Sequence, residues 1–400
     1  MTTSNFYGKA ENDDGMDGVM DRVPRYVLDH APLVHLNSNE KFWPSKLEKH
    51  LKNCLIYYDR PIETEVCSSS SLSLPSKEKR KKESKRRKER VKRTIDCEDH
   101  DDDEGDLFSV LTESNEINCK GTFLTSLKDV RPSPEKHPWI VSLEGKPDPK
   151  TLRSDHSPAI LILVDKSKIT GVEGTLDAFW FFFYSFNLGP KVAGFHFGNH
   201  IADWEHCMIR FLNGKPQAVH LSSHADGFSY KFDCLEKFKE DSKRPIIYSA
   251  TGSHAMYPKP GYHDYSPVKI IGPIDHTDRG PLWDPSLNFL PFQHFPSPSK
   301  DKFITLKNPT ENGNSNNEKY LSCLKFSGQW GDEFSYDDSK EVDLNPLDQR
   351  SKSKRNLVGD LKKAMLLERL RWCDGVTGPR DKDLDRAGMN RFGKHIRLSI

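Results

Sequence analysis

Within the seven residues from His200 to His206 the chain sets two histidines and two carboxylates, Asp203 and Glu205. They belong to Gly198-Asn-His-Ile-Ala-Asp-Trp-Glu-His-Cys-Met-Ile-Arg-Phe211, which runs on into an apolar segment. In an extended chain, side chains alternate between faces. Asp203 and Glu205 then share a face with Cys207, Ile209 and Phe211, while Trp204, His206, Met208 and Arg210 take the other. Two acids on a face that continues into apolar residues need a cation, a donor network or solvent.

Asn213-Gly214 follows, between two strand-like runs. This dipeptide favours a two-residue hairpin because both turn positions take positive φ. Such a turn pairs Leu212 with Lys215 and, counted back, sets Glu205 opposite Ser222 and Asp203 opposite His224. Pro216 cannot donate to the ladder, so a register slip of one residue is the alternative. Asp203, Glu205, Ser222 and His224 would form one polar cluster, with His200 arriving from the preceding loop. Imidazole with carboxylate suits Zn²⁺, Mn²⁺ or Fe²⁺, and a more oxygen-rich set suits Mg²⁺ or Ca²⁺. The competing reading is a buried hydrogen-bond network that only pins the hairpin.

The elements that must hold this cluster are strands. Aromatic residues make up 10% of the 400, with 26 prolines and 25 glycines, which favours strands and turns over a helical bundle. Ala159–Asp165 and Ile246–Ala250 read as strands. Asp177-Ala-Phe-Trp-Phe-Phe-Phe-Tyr-Ser-Phe-Asn187 is apolar at both parities, the mark of a strand covered on both faces. The ring stripe reads as core ahead of a lipid or sugar surface. Tyr26–Leu28 reads as one helical turn, and Ser45–Cys54 as a helix with Ser45 as its N-cap. His254 in the loop Gly252-Ser253-His254-Ala255, His263 and Asp264 are second-tier site candidates.

Charged residues make up 30% and mean hydropathy is −0.73, more polar than a wholly compact chain. The excess lies in an insertion at 67–117, where the basic run 77–93 precedes the acidic block 96–106. Nuclear import, acidic-lipid docking and RNA contact are its functional readings. A solvated insertion whose halves neutralise each other is preferred. No aromatic is interleaved to stack on bases, which argues against nucleic acid. The eight cysteines form no C-x-x-C pair, against a structural zinc site, and no apolar run is long enough to span a bilayer. A protein of a reducing compartment is expected. Leu357 to Trp372 has helical spacing and reads as a docked terminal helix.

The order of the motifs resembles the vacuolar protein sorting-associated protein 62 family of fungi and plants. Its carriers are Phe42-Trp-Pro-Ser45, Tyr184-Ser-Phe-Asn-Leu-Gly189, Gly198-Asn-His200, Asp203-Trp-Glu-His206, Ser223-His-Ala-Asp-Gly227, Tyr248-Ser-Ala-Thr-Gly-Ser-His-Ala255, His263-Asp-Tyr265, Trp283-Asp284 and Trp330-Gly-Asp332. More distantly, the segment resembles the Gly-His-Arg-His-Asp-Trp-Glu signature of the necrosis- and ethylene-inducing-like cytolysins, whose β-sandwich binds a divalent cation. His200, Asp203 and Glu205 fall at the same intervals, and Ser223-His224 matches a downstream element. Asn187 is the nearest counterpart of that family's upstream acid. Ala202 replaces the signature's second histidine and Asn199 is extra, which separates this chain from membrane lysis.

The expected fold is mainly β, an antiparallel β-sandwich with a few short helices, plus a disordered insertion and tails. It comprises a tail at 1–22, one domain at 23–345 and a C-terminal helix and tail at 346–400. The resemblance implies a part in protein delivery to the vacuole. The expected protein is a non-enzymatic module for a membrane surface or trafficking protein, cytoplasmic or endomembrane-associated, with the basic run as a route to the nucleus. It would carry Mg²⁺, Ca²⁺ or Mn²⁺, ahead of Zn²⁺, on His200, Asp203, Glu205, His224 and Asn187. The alternative is a metal-dependent hydrolase with Glu205 or His206 as base.

Overall fold

The computed structural model describes residues 18–58, 91–93, 108, 111–112, 121–192, 194–224, 227–264, 273–296, 302–309, 317–333, 371–390 and 395–400. The chain is mainly β, in several sheets with few short helices. Its centre is a seven-stranded sheet. In spatial order the strands are Phe228–Lys231, Lys215–Leu221, His200–Leu212, Thr175–Asn187, Ala159–Asp165, Phe289–His294 and Phe303–Thr305. Neighbours are antiparallel except Ala159–Asp165 with Phe289–His294, which run parallel.

All thirteen residues of Thr175–Asn187 are buried. Period two explains how a strand this apolar is accommodated. Phe179, Phe181 and Phe183 enter one core with Ile160, Ile162, Trp204 and Met208. Ala178, Trp180, Phe182 and Tyr184 enter a second with Leu161, Leu163, Cys207, Ile209 and Phe211. The first core is closed by Ile56, Leu124 and Trp330 of a five-stranded sheet, and the second by Val34, Ile247, Met256 and Trp283 of a four-stranded one. Each fully buried Phe contributes on the order of 2–3 kcal/mol relative to exposure, so this strand anchors both layers.

The turn after His200–Leu212 is the expected one: Leu212 pairs with Lys215, and Asn213 and Gly214 have φ of 49° and 75°. The count-back, however, is off by one. The register shifts between Pro216 and Ala218, so Leu221 pairs with Cys207 and Ser222 follows opposite His206. The extra residue is Gln217, which follows the Pro216–Phe211 pair and bulges out of the ladder.

Two smaller expectations are also adjusted. The second helix is Leu47–Leu51, with Lys46 at the N-cap position. Ser45 is instead stitched to the aromatic strand, its amide donating to Phe183 O and its hydroxyl accepting from Ser185 N. Most of the expected helix at 357–372, and most of the charged insertion, lie outside the described residues. Among the described residues no helix is long and apolar enough to cross a membrane.

Candidate functional site

Asp203 and Glu205 do share the face of Cys207 and Ile209, and both are buried, at 4% and 8% exposure. They sit just past a local break. Ala202 has φ of 58°, and the ring of His200 turns back so that Nδ1 lies 2.6 Å from Ala202 O. Nδ1 therefore carries the proton and the lone pair is on Nε2. Burial lowers the pKa of His200 against the pull of Asp203. Asn187 pairs across the ladder with His200 and donates its amide to Gly198 O at 2.8 Å, which fixes the entry loop.

The loop Gly252-Ser253-His254 organises the remaining acids. Three successive residues each take a different buried carboxylate: Gly252 N donates to Glu40 at 2.7 Å, Ser253 Oγ to Asp275 at 2.8 Å, and His254 Nδ1 to Asp203 at 2.9 Å. His254 has no exposure and lies flat on Tyr184, with ring centroids 3.7 Å apart. Its Nε2 faces Phe42 O at 3.1 Å, and Glu40 stands 3.8 Å away. An acceptor at each nitrogen requires two ring protons, so the imidazolium is the form that fits. Burial alone would strip that proton. The hydrogen bond to Asp203 and the Glu40 carboxylate outweigh it and hold the pKa up at about 9. Burial likewise works to raise Glu40, but His254 and the Gly252 and Phe42 amides hold it below the ordinary range.

Glu205 is treated differently. It accepts the Ser222 hydroxyl, the contact the sequence count predicts, which survives the slip because Ser222 also takes the His206 amide. Burial and the like charge of Asp203 push Glu205 up to about 7. His224 hydrogen-bonds to a different acid, Asp275, and feels Asp203 and Glu205 only through space. It adopts φ of 52°, and its Nε2 lies 2.7 Å from Asp275, which also accepts the Tyr257 hydroxyl at 2.8 Å. Burial depresses this histidine, Asp275 more than compensates, and its pKa rises. With 30% of its side chain accessible, His224 is the cluster's outward face.

His206, the second candidate base, belongs to the opposite face. Its ring lies 4.9 Å from Phe181, and burial drops its pKa well below the usual range. His263 and Asp264 stand apart from the acids Asp203 and Glu205: His263 stacks on Tyr257 and meets Thr277 Oγ1, and Asp264 is exposed.

Five contributors escaped the sequence reading as site residues: Glu40, Tyr184, Ser253, Tyr257 and Asp275. Asp275 carried a signal as a carboxylate in a turn-rich stretch, and Ser253 as part of the Gly-Ser-His loop. Glu40 comes from the far N-terminal side and no local spacing points to it.

As donors, His200 Nε2, Asp203 and Glu205 suit a divalent cation. Yet Asp203 already holds His254 and His224 already holds Asp275, and among the described residues no three His, Cys, Asp or Glu side chains are placed to hold an ion together. The fit is one of donor chemistry.

Comparison with known proteins adds a lineage. Residues 169–280 match the family model of vacuolar protein sorting-associated protein 62. Vacuolar protein sorting-associated protein 62 of Saccharomyces cerevisiae is 32% identical over 391 residues, 92% of this chain and 67% of that protein. The chain belongs to the vacuolar protein sorting-associated protein 62 family. A second yeast relative, the putative vacuolar protein sorting-associated protein TDA6, is 36% identical over 330 residues, covering 78% of this chain. The chain spans 61% of that relative's length. No solved structure matches. The segment matched by the family model contains Asn187, His200, Asp203, Glu205, His224, His254 and Asp275, whereas Glu40 lies outside it.

Proposed function

We propose that this chain acts in protein delivery to the vacuole as a non-enzymatic module that binds a membrane surface or a trafficking protein, and that a divalent cation taken up at Asp203, Glu205 and His200 tunes that binding. The observation that carries the cation is the crowding of two buried carboxylates. Asp203 has His254 as its hydrogen-bonded countercharge, whereas Glu205 is bonded to the Ser222 hydroxyl, and burial with the Asp203 charge outweighs Lys382 and His224 acting through space and pushes it up to about 7. A cation relieves that crowding better than a proton at neutral pH. His200, with its tautomer fixed by Ala202 O, is ready to ligate through Nε2. Mg²⁺, Ca²⁺ and Mn²⁺ fit a carboxylate-rich set ahead of Zn²⁺. Asn187 and His224 are outer members, since the amide and Nε2 that fix them point to Gly198 O and Asp275.

The test is elemental analysis of the purified chain beside Glu205→Gln, followed by calorimetric titration with each ion and flotation with liposomes. Stoichiometric uptake lost in the variant, with weakened flotation, supports the reading. An ion-free chain that ignores added Ca²⁺, Mg²⁺ and Mn²⁺ overturns the cation pocket. The hydrolase alternative rests on the same Glu205, whose near-neutral pKa suits a general base. Chelator-sensitive turnover in an esterase and phosphatase screen would favour it.

A further inference from the structure

Two hairpins lie at the end of the central sheet where Thr175–Asn187 stops and His200–Leu212 starts. In the first, Lys191–Val192 pairs with Phe195–His196. The second is the ribbon of Gly261–Asp264 with Ile274–Thr277, a two-stranded sheet of its own. Adjacent residues of one loop tie their roots together: Gly252 O accepts from Leu188 N at 2.9 Å, and Thr251 N donates to His276 O at 3.0 Å. The same loop sets His254 on Asp203, and Asp275 of the ribbon holds His224. Both hairpins therefore flank the polar cluster.

Neither hairpin gives a residue to the two large cores. Period two divides the ribbon. Asp275 and Thr277, both buried, and His263, stacked on Tyr257, share its inner face. The outer face carries the cross-strand pairs Tyr262–His276 and Asp264–Ile274. Tyr262 is 79% exposed and Ile274 49%, and Phe195 of the other hairpin is 45% exposed. Single exposed apolar residues are ordinary, but here three stand on the two elements that the cores do not hold. Two ammoniums lie at the roots. Lys191 opens the first hairpin, and Lys259 leads into the ribbon, its carbonyl accepting from Thr277 Oγ1 at 3.0 Å. Both lysines are exposed, against one exposed acid, Asp264, among the described residues of the hairpins.

Apolar side chains and a phenol beyond a base of ammoniums match a lipid surface. The rings and the aliphatic chain suit the boundary between headgroups and acyl chains, and the ammoniums suit the phosphates. A fluid layer also admits two separate prongs, whereas a protein partner must be shaped to both. We infer that this end of the molecule is the docking face for a lipid bilayer surface, with Tyr262, Ile274 and Phe195 entering the headgroup layer and Lys191 and Lys259 meeting its phosphates. The inference rests on the module reading above, for which it selects the membrane over the trafficking protein, and it holds with or without a bound cation.

The full chain is floated with vesicles of phosphatidylcholine alone and of phosphatidylcholine mixed equally with phosphatidylserine, each with Ca²⁺ and in chelator. Wild type should float, and more with phosphatidylserine. The double variant Tyr262→Ser, Ile274→Ser should bind at least about tenfold more weakly, the loss expected when inserted apolar side chains are removed, and Phe195→Ser should weaken binding as well. Tyr262→Phe should bind as wild type does. Lys191→Glu with Lys259→Glu should abolish the preference for phosphatidylserine, and a preference that survives overturns the phosphate contacts. Leu143→Ser is the control, in the turn Leu143–Gly145 and exposed at 69%. A loss there as large as at Tyr262 means general adhesion and overturns the inference. Flotation untouched by the Tyr262 and Ile274 changes overturns it and leaves the membrane module standing on another face. Wild type that floats under no condition overturns it and leaves the trafficking protein as the module's partner. Flotation that persists in chelator and still needs Tyr262 supports the inference and removes the cation from membrane binding. All the replaced side chains are exposed, so each variant should keep the wild-type Tm in scanning fluorimetry.

Discussion

Replacing Asp203 by asparagine removes the direct countercharge of a buried imidazolium while keeping an acceptor of the same shape. Holding His254 at about 9, from an ordinary value of 6.5, corresponds to about 3 kcal/mol of preferential proton binding by the folded state. Asp203 at 2.9 Å and Glu40 at 3.8 Å share that work, with the nearer group dominant. Asp203→Asn should therefore cost about 2–3 kcal/mol at pH 6. The sign follows from the raised folded pKa. The stabilisation is fully present below pH 6.5 and is lost as pH rises through about 9. Urea unfolding followed by tryptophan fluorescence, repeated from pH 6 to pH 10, gives both profiles. The wild type should lose its margin over the variant across that window, and the two should converge at the alkaline end. A difference that stays constant from pH 6 to pH 10 would refute the imidazolium and reduce Asp203 to a neutral acceptor.

Glu205→Gln should behave oppositely. The folded pKa of about 7 lies above the ordinary 4.5, so Glu205 favours the fold below pH 4.5 and disfavours it as pH rises through 7. The glutamine variant should accordingly unfold at higher urea than wild type at pH 8, by about 1–3 kcal/mol. The same variant should lose any rise in Tm that Ca²⁺ or Mn²⁺ gives the wild type, as read by scanning fluorimetry. His206→Leu should be neutral or stabilising by about 1 kcal/mol in urea unfolding, because neither ring nitrogen has a hydrogen-bond partner among the described residues. Asp177→Ala should cost about 3–5 kcal/mol, leaving Arg210 and Lys166 without their shared carboxylate. Its hydrogen exchange should rise first in 383–390, where the Leu384 and Arg386 carbonyls accept from Lys166 and the Ala387 carbonyl from Arg210.

These contrasts bear on what the sequence could convey. The alternation from Asp203 to Phe211 is local and period two is rigid, so the facing of both acids was legible without coordinates. The aromatic strand was legible for the same reason: no single-sided sheet can bury Phe181 and Phe182 together. The Glu205–Ser222 contact was reached by a count one residue out, and it holds because a serine at the end of the ladder can reach either neighbour. His224 illustrates the limit. Its partner Asp275 is 51 residues away and belongs to a hairpin that strand counting cannot orient.

The deeper gap concerns His254 and Glu40. The loop could be suspected from its glycine, serine and histidine, but not the placement of three adjacent residues on three separate carboxylates. That placement changes what each acid is for. Asp203 is a structural counterion because a buried imidazolium sits against it, whereas Glu205, two residues on, is hydrogen-bonded to a hydroxyl and feels Lys382 and His224 only through space. A metal-ligand signature read from sequence treats the two as equivalent, whereas packing makes Glu205 the group whose charge is still open. For this reason Glu205→Gln, and not Asp203→Ala, is the substitution that tests cation binding without first weakening the fold.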